Sequence, residues 1–180
     1  MSRTQFFNTV RKQLHQGKLN QEQVDGYEAI LNELDCYNLS TQEKAYMLAT
    51  AYHETKYTMQ PVREAYWLSE AWRKRNLCYY PHYGRGYVQL TWPFNYERAD
   101  RELGLNNTLV VNLDLAMQPD IAAKIMIAGM RDGWFTGKKL SDYIKNGKAD
   151  YVCARRIING TDKAQLIAGY ALKFEAALRD

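Results

Sequence analysis

The sequence predicts a mainly α-helical domain with one short extended segment near residues 79–92. Three observations carry this. Apolar residues recur at helical spacing along most of the chain, capping signals stand at the head of three such runs, and β-forming residues cluster only in "YYPHYGRGYVQLTWPFNY". With 180 residues, 46% of them hydrophobic, the chain is long enough for one sizeable core. A single domain over 1–180 is expected, with residues 1–40 as an N-terminal helical pair packed on it.

The elements follow in order. Ser2 with Gln5, and Asn20 with Gln23, have capping-box spacing and precede the stripes Phe6, Val10, Leu14 and Val24, Tyr27, Leu31, Leu34. Ser40 with Glu43 opens "TQEKAYMLATAYHET", which from Ala45 to Tyr52 is apolar or small on every side and so predicts a central buried helix. Further helices are expected near 66–77, 93–103, 119–132, 149–157 and 163–178, with Gly104 as a C-terminal stop and Pro119 in a first turn. Residues 79–96 read as an irregular loop leading into a strand or hairpin.

Composition narrows the function classes. The longest apolar runs fall far short of the roughly 20 residues that span a bilayer, and "MSRTQFFNTVRKQL" lacks a cleavable signal pattern, so no membrane insertion is expected. Cys36, Cys78 and Cys153 are odd in number and widely spaced, which fits a reducing compartment of synthesis. The excess of 24 Lys and Arg over 20 Asp and Glu suits an anionic surface, yet no motif points to nucleic acid.

The pair His53-Glu54 first suggests a zinc helix. That motif needs a second His four residues on, where Tyr57 stands, and neither His15 nor His82 has ligand spacing to His53. No metal is expected. Glu54 instead ends a helix that is apolar all round, where desolvation and the negative helix terminus both raise a carboxyl pKa, as a general acid requires. A solvated helix-end carboxylate paired with Lys56 or Arg63 meets the same pattern. Ten residues on, past Pro61, Arg63-Glu64 offers a second carboxylate. Glycoside hydrolysis uses two such groups on opposite sides of the scissile bond, although surface charges meet this spacing equally.

In "GYVQLTW", strand alternation places Tyr87, Gln89 and Thr91 on one face and Val88, Leu90 and Trp92 on the other. Gln89 can hold a sugar amide or hydroxyl, Thr91 a water, and the glycines of "YGRGY" allow a ligand close to the backbone. A strand with one wet face has the same pattern.

Taken together, His53-Glu54-Thr55, Arg63-Glu64, "YGRGYVQLTWPFNY" and "ARRIINGTD" resemble, in order and spacing, the glycoside hydrolase family 19 domain of plant-type chitinases and many phage endolysins. The resemblance runs from about Thr41 to the C-terminus, and "GKLNQEQVDGYEAIL" resembles the N-terminal part of phage members. It implies a lysozyme-like α-helical fold with a substrate cleft, inverting hydrolysis and no cofactor. By the same resemblance Glu54 is the general acid, Glu64 the general base, and Thr91 holds the attacking water. Gln89, Asn95 and Asn159 would line the cleft or orient the carboxylates, with His53, Arg63 and Tyr87 completing the substrate-binding residues.

The ten-residue gap between the carboxylates, and the lack of a disulfide set, are closer to endolysins than to plant-type chitinases. Tyr57 and its neighbours stand where Gly-Gly often follows His-Glu-Thr, and the last helix has no basic counterpart near Leu166. Of the aromatic residues around the proposed cleft, Tyr66, Trp67, Tyr79, Tyr80, Tyr83, Tyr87 and Trp92, a minority is expected to touch substrate. The expected function is cleavage of β-1,4 bonds in cell-wall peptidoglycan by a monomer that gathers in the host cytoplasm and reaches the wall after a holin opens the membrane. Alternatives are a chitinase, a lytic transglycosylase and a non-catalytic wall-binding module.

Overall fold

The computed structural model describes residues 2–179. Helices α1 (Arg3–Leu14), α2 (Gln21–Leu34) and α3 (Thr41–Glu54) start at the expected caps. The Ser2 side chain accepts from the Gln5 amide, while Asn20 with Gln23 and Ser40 with Glu43 close both halves of a capping box. Every residue of α3 from Ala45 to Tyr52 is buried, so its uniform apolarity does mark the centre of the core.

Next come β1 (Val62–Arg63), α4 (Glu70–Asn76), β2 (Arg85–Gly86), α5 (Pro93–Glu102) and α6 (Thr108–Val111). A 3₁₀ turn (Leu113–Met117), α7 (Pro119–Asp132), α8 (Leu140–Tyr143), the hairpin β3 (Ile144–Lys145) with β4 (Lys148–Ala149), a second 3₁₀ turn (Cys153–Ile157) and α9 (Ala164–Arg179) complete the chain. Pro119 opens α7, and Gly104 at φ 65° follows α5, as the sequence predicts. Among the described residues no helix is long and apolar enough to cross a membrane.

Helices α1 and α2 touch each other and both pack on the body of the protein. The rings of Phe6 and Tyr27 meet at 5.7 Å and Arg3 pairs with Glu28, but α1 packs chiefly on α9 and α2 on α7. Each helix thus buries its stripe against the body of the protein. α3 packs most extensively on α9.

Three local expectations change. The helix expected over 66–77 is only α4, because Ala65 takes φ 48° and the chain turns until Ser69 caps residue 70. The helix expected over 149–157 is a hairpin end followed by a 3₁₀ turn. Asn146 at φ 52° and Gly147 at φ 73° make the two-residue connection that pairs Lys145 with Lys148. The strand expected over 86–92 is cut to β2, which pairs antiparallel with β1. Gly86 at φ 87° and Gln89 at φ 55° turn the chain back so that Leu90 bridges to Arg85. Alternation fails across that turn: Tyr87 is wholly buried, which corrects its placement on one wet face with Gln89 and Thr91.

Candidate active site

Glu54 is the last residue of α3, so the buried body of that helix fixes where its carboxylate emerges. Glu54 Oε1 accepts from Arg155 Nη1 at 2.6 Å; the Arg155 side chain is 3% exposed and that of Glu54 18%. Arg155 lies in the second 3₁₀ turn, and its Nε donates to the Asp162 carbonyl at 2.9 Å. Lys56 and Arg63, the partners in the alternative reading of Glu54 as a solvated helix end, are engaged elsewhere. The cation beside Glu54 comes from "ARRIINGTD", a stretch whose arginines the sequence reading quoted without giving them a role.

His53 is half-buried, its Nδ1 has no protein partner, and desolvation holds its pKa below the usual imidazole value. Asn159 closes the 3₁₀ turn, its amide bonded to the Arg155 carbonyl at 3.0 Å and its side chain exposed.

Glu64 follows β1 directly and is clasped by the strand opposite. Its amide donates to the Gly84 carbonyl at 2.7 Å, and the Gly84 amide donates to Glu64 Oε2 at 3.0 Å. The Tyr79 hydroxyl donates to Glu64 Oε1 at 2.6 Å. Burial first, and the neighbouring carboxylate second, push the Tyr79 pKa up to about 12, so this phenol stays a donor at neutral pH. Arg73 Nε donates to the Glu64 carbonyl at 2.8 Å, tying the segment to α4. The sequence reading missed Tyr79 and Gly84 as partners of Glu64; only the nearby glycines hinted at a close approach.

Arg63 is held by Asp114 at 2.8 Å, and Asp114 also binds Arg85 Nε at 2.9 Å. The β1–β2 pair is thereby fastened to the first 3₁₀ turn by one carboxylate shared between two guanidinium groups. Arg63 thus serves the fold before it can serve a ligand.

Gln89 Nε2 donates to the Val62 carbonyl at 2.9 Å, and a Cβ on Gly84 would lie 2.7 Å from Gln89 Oε1. Only glycine lets this side chain lie against the Glu64 clasp. Thr91 Oγ1 donates to the Gln89 carbonyl and Asn95 Nδ2 to the Thr91 carbonyl, each at 2.8 Å. The structure therefore links Gln89, Thr91 and Asn95 through one run of hydrogen bonds, which Gln89 anchors on β1 two residues before Glu64. Tyr87 stays outside it, with its hydroxyl buried and without a protein partner.

The two carboxylate segments meet through Lys56, whose Nζ lies 3.9 Å from the Trp67 ring centroid and 5.5 Å from that of Tyr66. α2 braces the loop between them. Gln23 Nε2 donates to the Tyr57 carbonyl at 3.0 Å, Gln60 Nε2 donates to the Glu22 carbonyl at 2.6 Å, and a Cβ on Gly26 would lie 1.9 Å from the Met59 carbonyl oxygen. Among the described residues no group of three His, Cys, Asp or Glu side chains could hold a metal ion.

Comparison with known proteins defines the class of fold. Chitinase C from Streptomyces griseus HUT6037 superposes with a TM-score of 0.64 at 23% identity, over 99% of this chain and 76% of that one. A point variant of chitinase C gives 0.62 at 21%, over 99% and 92%. A bacterial family 19 chitinase gives 0.59 at 22%, over 98% and 94%. No protein-family model and no curated protein matches the sequence. The chain has the mainly helical, lysozyme-like fold of family 19 chitinases, the fold that its motifs imply.

Proposed function

We propose that the protein is a glycoside hydrolase that cleaves β-1,4 bonds of bacterial cell-wall peptidoglycan, an endolysin-type enzyme. One observation supports the reading: in a chain with the fold of family 19 chitinases, the carboxylates of the two motifs are held by partners of opposite character. Glu54 meets a buried guanidinium, whereas Glu64 accepts from a phenol and a backbone amide.

Glu54 protonates the glycosidic oxygen while Glu64 and Thr91 activate a water on the other face of the sugar. Inversion needs room for the water, hence a carboxyl separation of roughly 6.5–9.5 Å in the working complex. The Thr91 hydroxyl, already donating to Gln89, meets that water as an acceptor. A net charge of +4 favours approach to an anionic wall. In a phage setting the enzyme would wait in the host cytoplasm until a holin opens the membrane.

Chitin is the second reading, because the structural neighbours are named as chitinases. Mass spectrometry of digested peptidoglycan beside a chitin-oligomer assay, with Glu54→Gln as control, tests both. Hydrolysed reducing ends are expected from the wild type and none from the variant. Anhydromuramyl ends, or full activity after Glu64→Gln, would point to a lytic transglycosylase. Binding to permeabilised cells without loss of turbidity would point to a wall-binding module.

A further inference from the structure

Trp92 sits where its own backbone disfavours it. Its φ of 77° and ψ of 141° lie in a region that residues with a Cβ rarely enter, because that atom crowds the neighbouring carbonyl oxygen. Hydrogen bonds impose the conformation. The Trp92 amide donates to the His82 carbonyl at 2.9 Å, and its own carbonyl accepts from the amides of Asn95 at 3.1 Å and Tyr96 at 3.3 Å, starting α5. Glycine would make each of these backbone bonds without strain.

The turn therefore does not call for an indole, and neither does the core. Trp92 is 44% exposed and meets the Tyr79 ring at 5.0 Å between centroids, inclined at 62°. Tyr79 is the residue whose hydroxyl holds Glu64, and Trp92 follows Thr91 in the chain. A large apolar surface is thus kept, against backbone strain, beside the two residues assigned to the attacking water. Among the other exposed aromatic residues, Tyr66 and Trp67 are already engaged by Lys56.

We infer that Trp92 is a sugar-stacking platform: its exposed indole surface takes the C–H face of an N-acetylhexosamine ring on the Glu64 side of the scissile bond, backed by Tyr79. A β-1,4-linked pyranose presents axial C–H groups on its faces, and these carry the slight positive charge that the face of an aromatic ring attracts. The inference deepens the hydrolase reading and rests on it for the position of the scissile bond.

The test compares Trp92→Gly and Trp92→Phe by thermal unfolding and, in a Glu54→Gln background, by calorimetric titration with the N-acetylglucosamine hexasaccharide. Trp92→Gly is expected to raise Tm by about 2 °C or more as strain is released, and to weaken binding about tenfold. Trp92→Phe, which keeps both an aromatic face and the strain, should leave Tm near wild type and retain part of the affinity. A residue that only packs would behave in the opposite way, lowering Tm on Trp92→Gly and leaving affinity unchanged; either result overturns the platform, as does a wild-type chain that binds no hexasaccharide. The two readings separate cleanly. A wild type that binds through Trp92 yet cuts neither hexasaccharide nor peptidoglycan refutes the hydrolase and keeps the platform. A wild type that cuts with the same kcat/KM as Trp92→Gly does the reverse.

Discussion

Replacing Arg155 by Met should destabilise the protein far more than the loss of one surface ion pair. The side chain is almost wholly buried and makes two bonds, one to the Glu54 carboxylate at 2.6 Å and one to the Asp162 carbonyl at 2.9 Å. Hydrogen bonds to charged groups contribute about 1.5–3 kcal/mol each, and breaking a buried pair by removing one partner costs about 3–5 kcal/mol. Glu54 keeps some access to water, so the lower end of that range applies, about 3 kcal/mol. In a chain of this size that corresponds to a fall in Tm of roughly 6–12 °C. Glu54→Gln keeps an oxygen to accept from Arg155 and should cost only about 1–2 kcal/mol. The double variant Glu54→Gln/Arg155→Met should then be more stable than the two single losses summed, by about 1 kcal/mol or more. Circular dichroism during thermal and urea unfolding of the four proteins completes the cycle. Single losses that add to within about 0.5 kcal/mol, or an Arg155→Met protein as stable as wild type, would refute the pairing.

Other outcomes follow from the same geometry. Gly26→Ala puts a methyl group 1.9 Å from the Met59 carbonyl oxygen and should cost about 3 kcal/mol or more, read from the urea midpoint, because backbone on both sides must move. Gly84→Ala pushes on Gln89 and so on the Glu64 clasp; kcat/KM on peptidoglycan should fall by tenfold to about 100-fold, with the Tm change held to a few degrees. All three histidines, His15, His53 and His82, have pKa values lowered with burial as the first cause. Between the unfolded value near 6.5 and the lower folded values, the unfolded chain binds more protons, so stability should fall as the pH drops through that window and be flat above it. His15 makes this concrete. Its Nδ1 lies 3.0 Å from Gln23 Nε2, which can only donate, so protonation sets two donors against each other; His15→Gln should flatten part of the slope in urea titrations from pH 7 to 5.

What the sequence made legible is what short-range chemistry encodes. Ser40 with Glu43, Asn20 with Gln23, Pro119 and Gly104 each act within a few residues of themselves, and the helix boundaries they mark are found. The uniform apolarity of Ala45 to Tyr52 needs no knowledge of its neighbours to mark a buried helix. The site is different, because its partners come from far along the chain. Arg155 reaches Glu54 across 101 positions and Asp114 reaches Arg63 across 51, and no periodicity carries such information. The turn after β2 was hidden for a further reason. Reading φ above zero from sequence relies on Gly or Asn, whereas Ala65, Gln89 and Trp92 adopt it under tertiary constraint. The Asn146-Gly147 hairpin is the reverse case, a local turn signal written in the sequence just before the stretch expected to be helical.

The packing of α3 on α9 has a consequence for synthesis. α3 ends at Glu54, yet the surface that covers it is supplied by residues 164–179, and Arg155 arrives only shortly before them. Pairing across such a distance waits until the ribosome has passed that point. A chain that stops before residue 155 therefore carries Glu54 without either the wall behind its helix or the cation beside it.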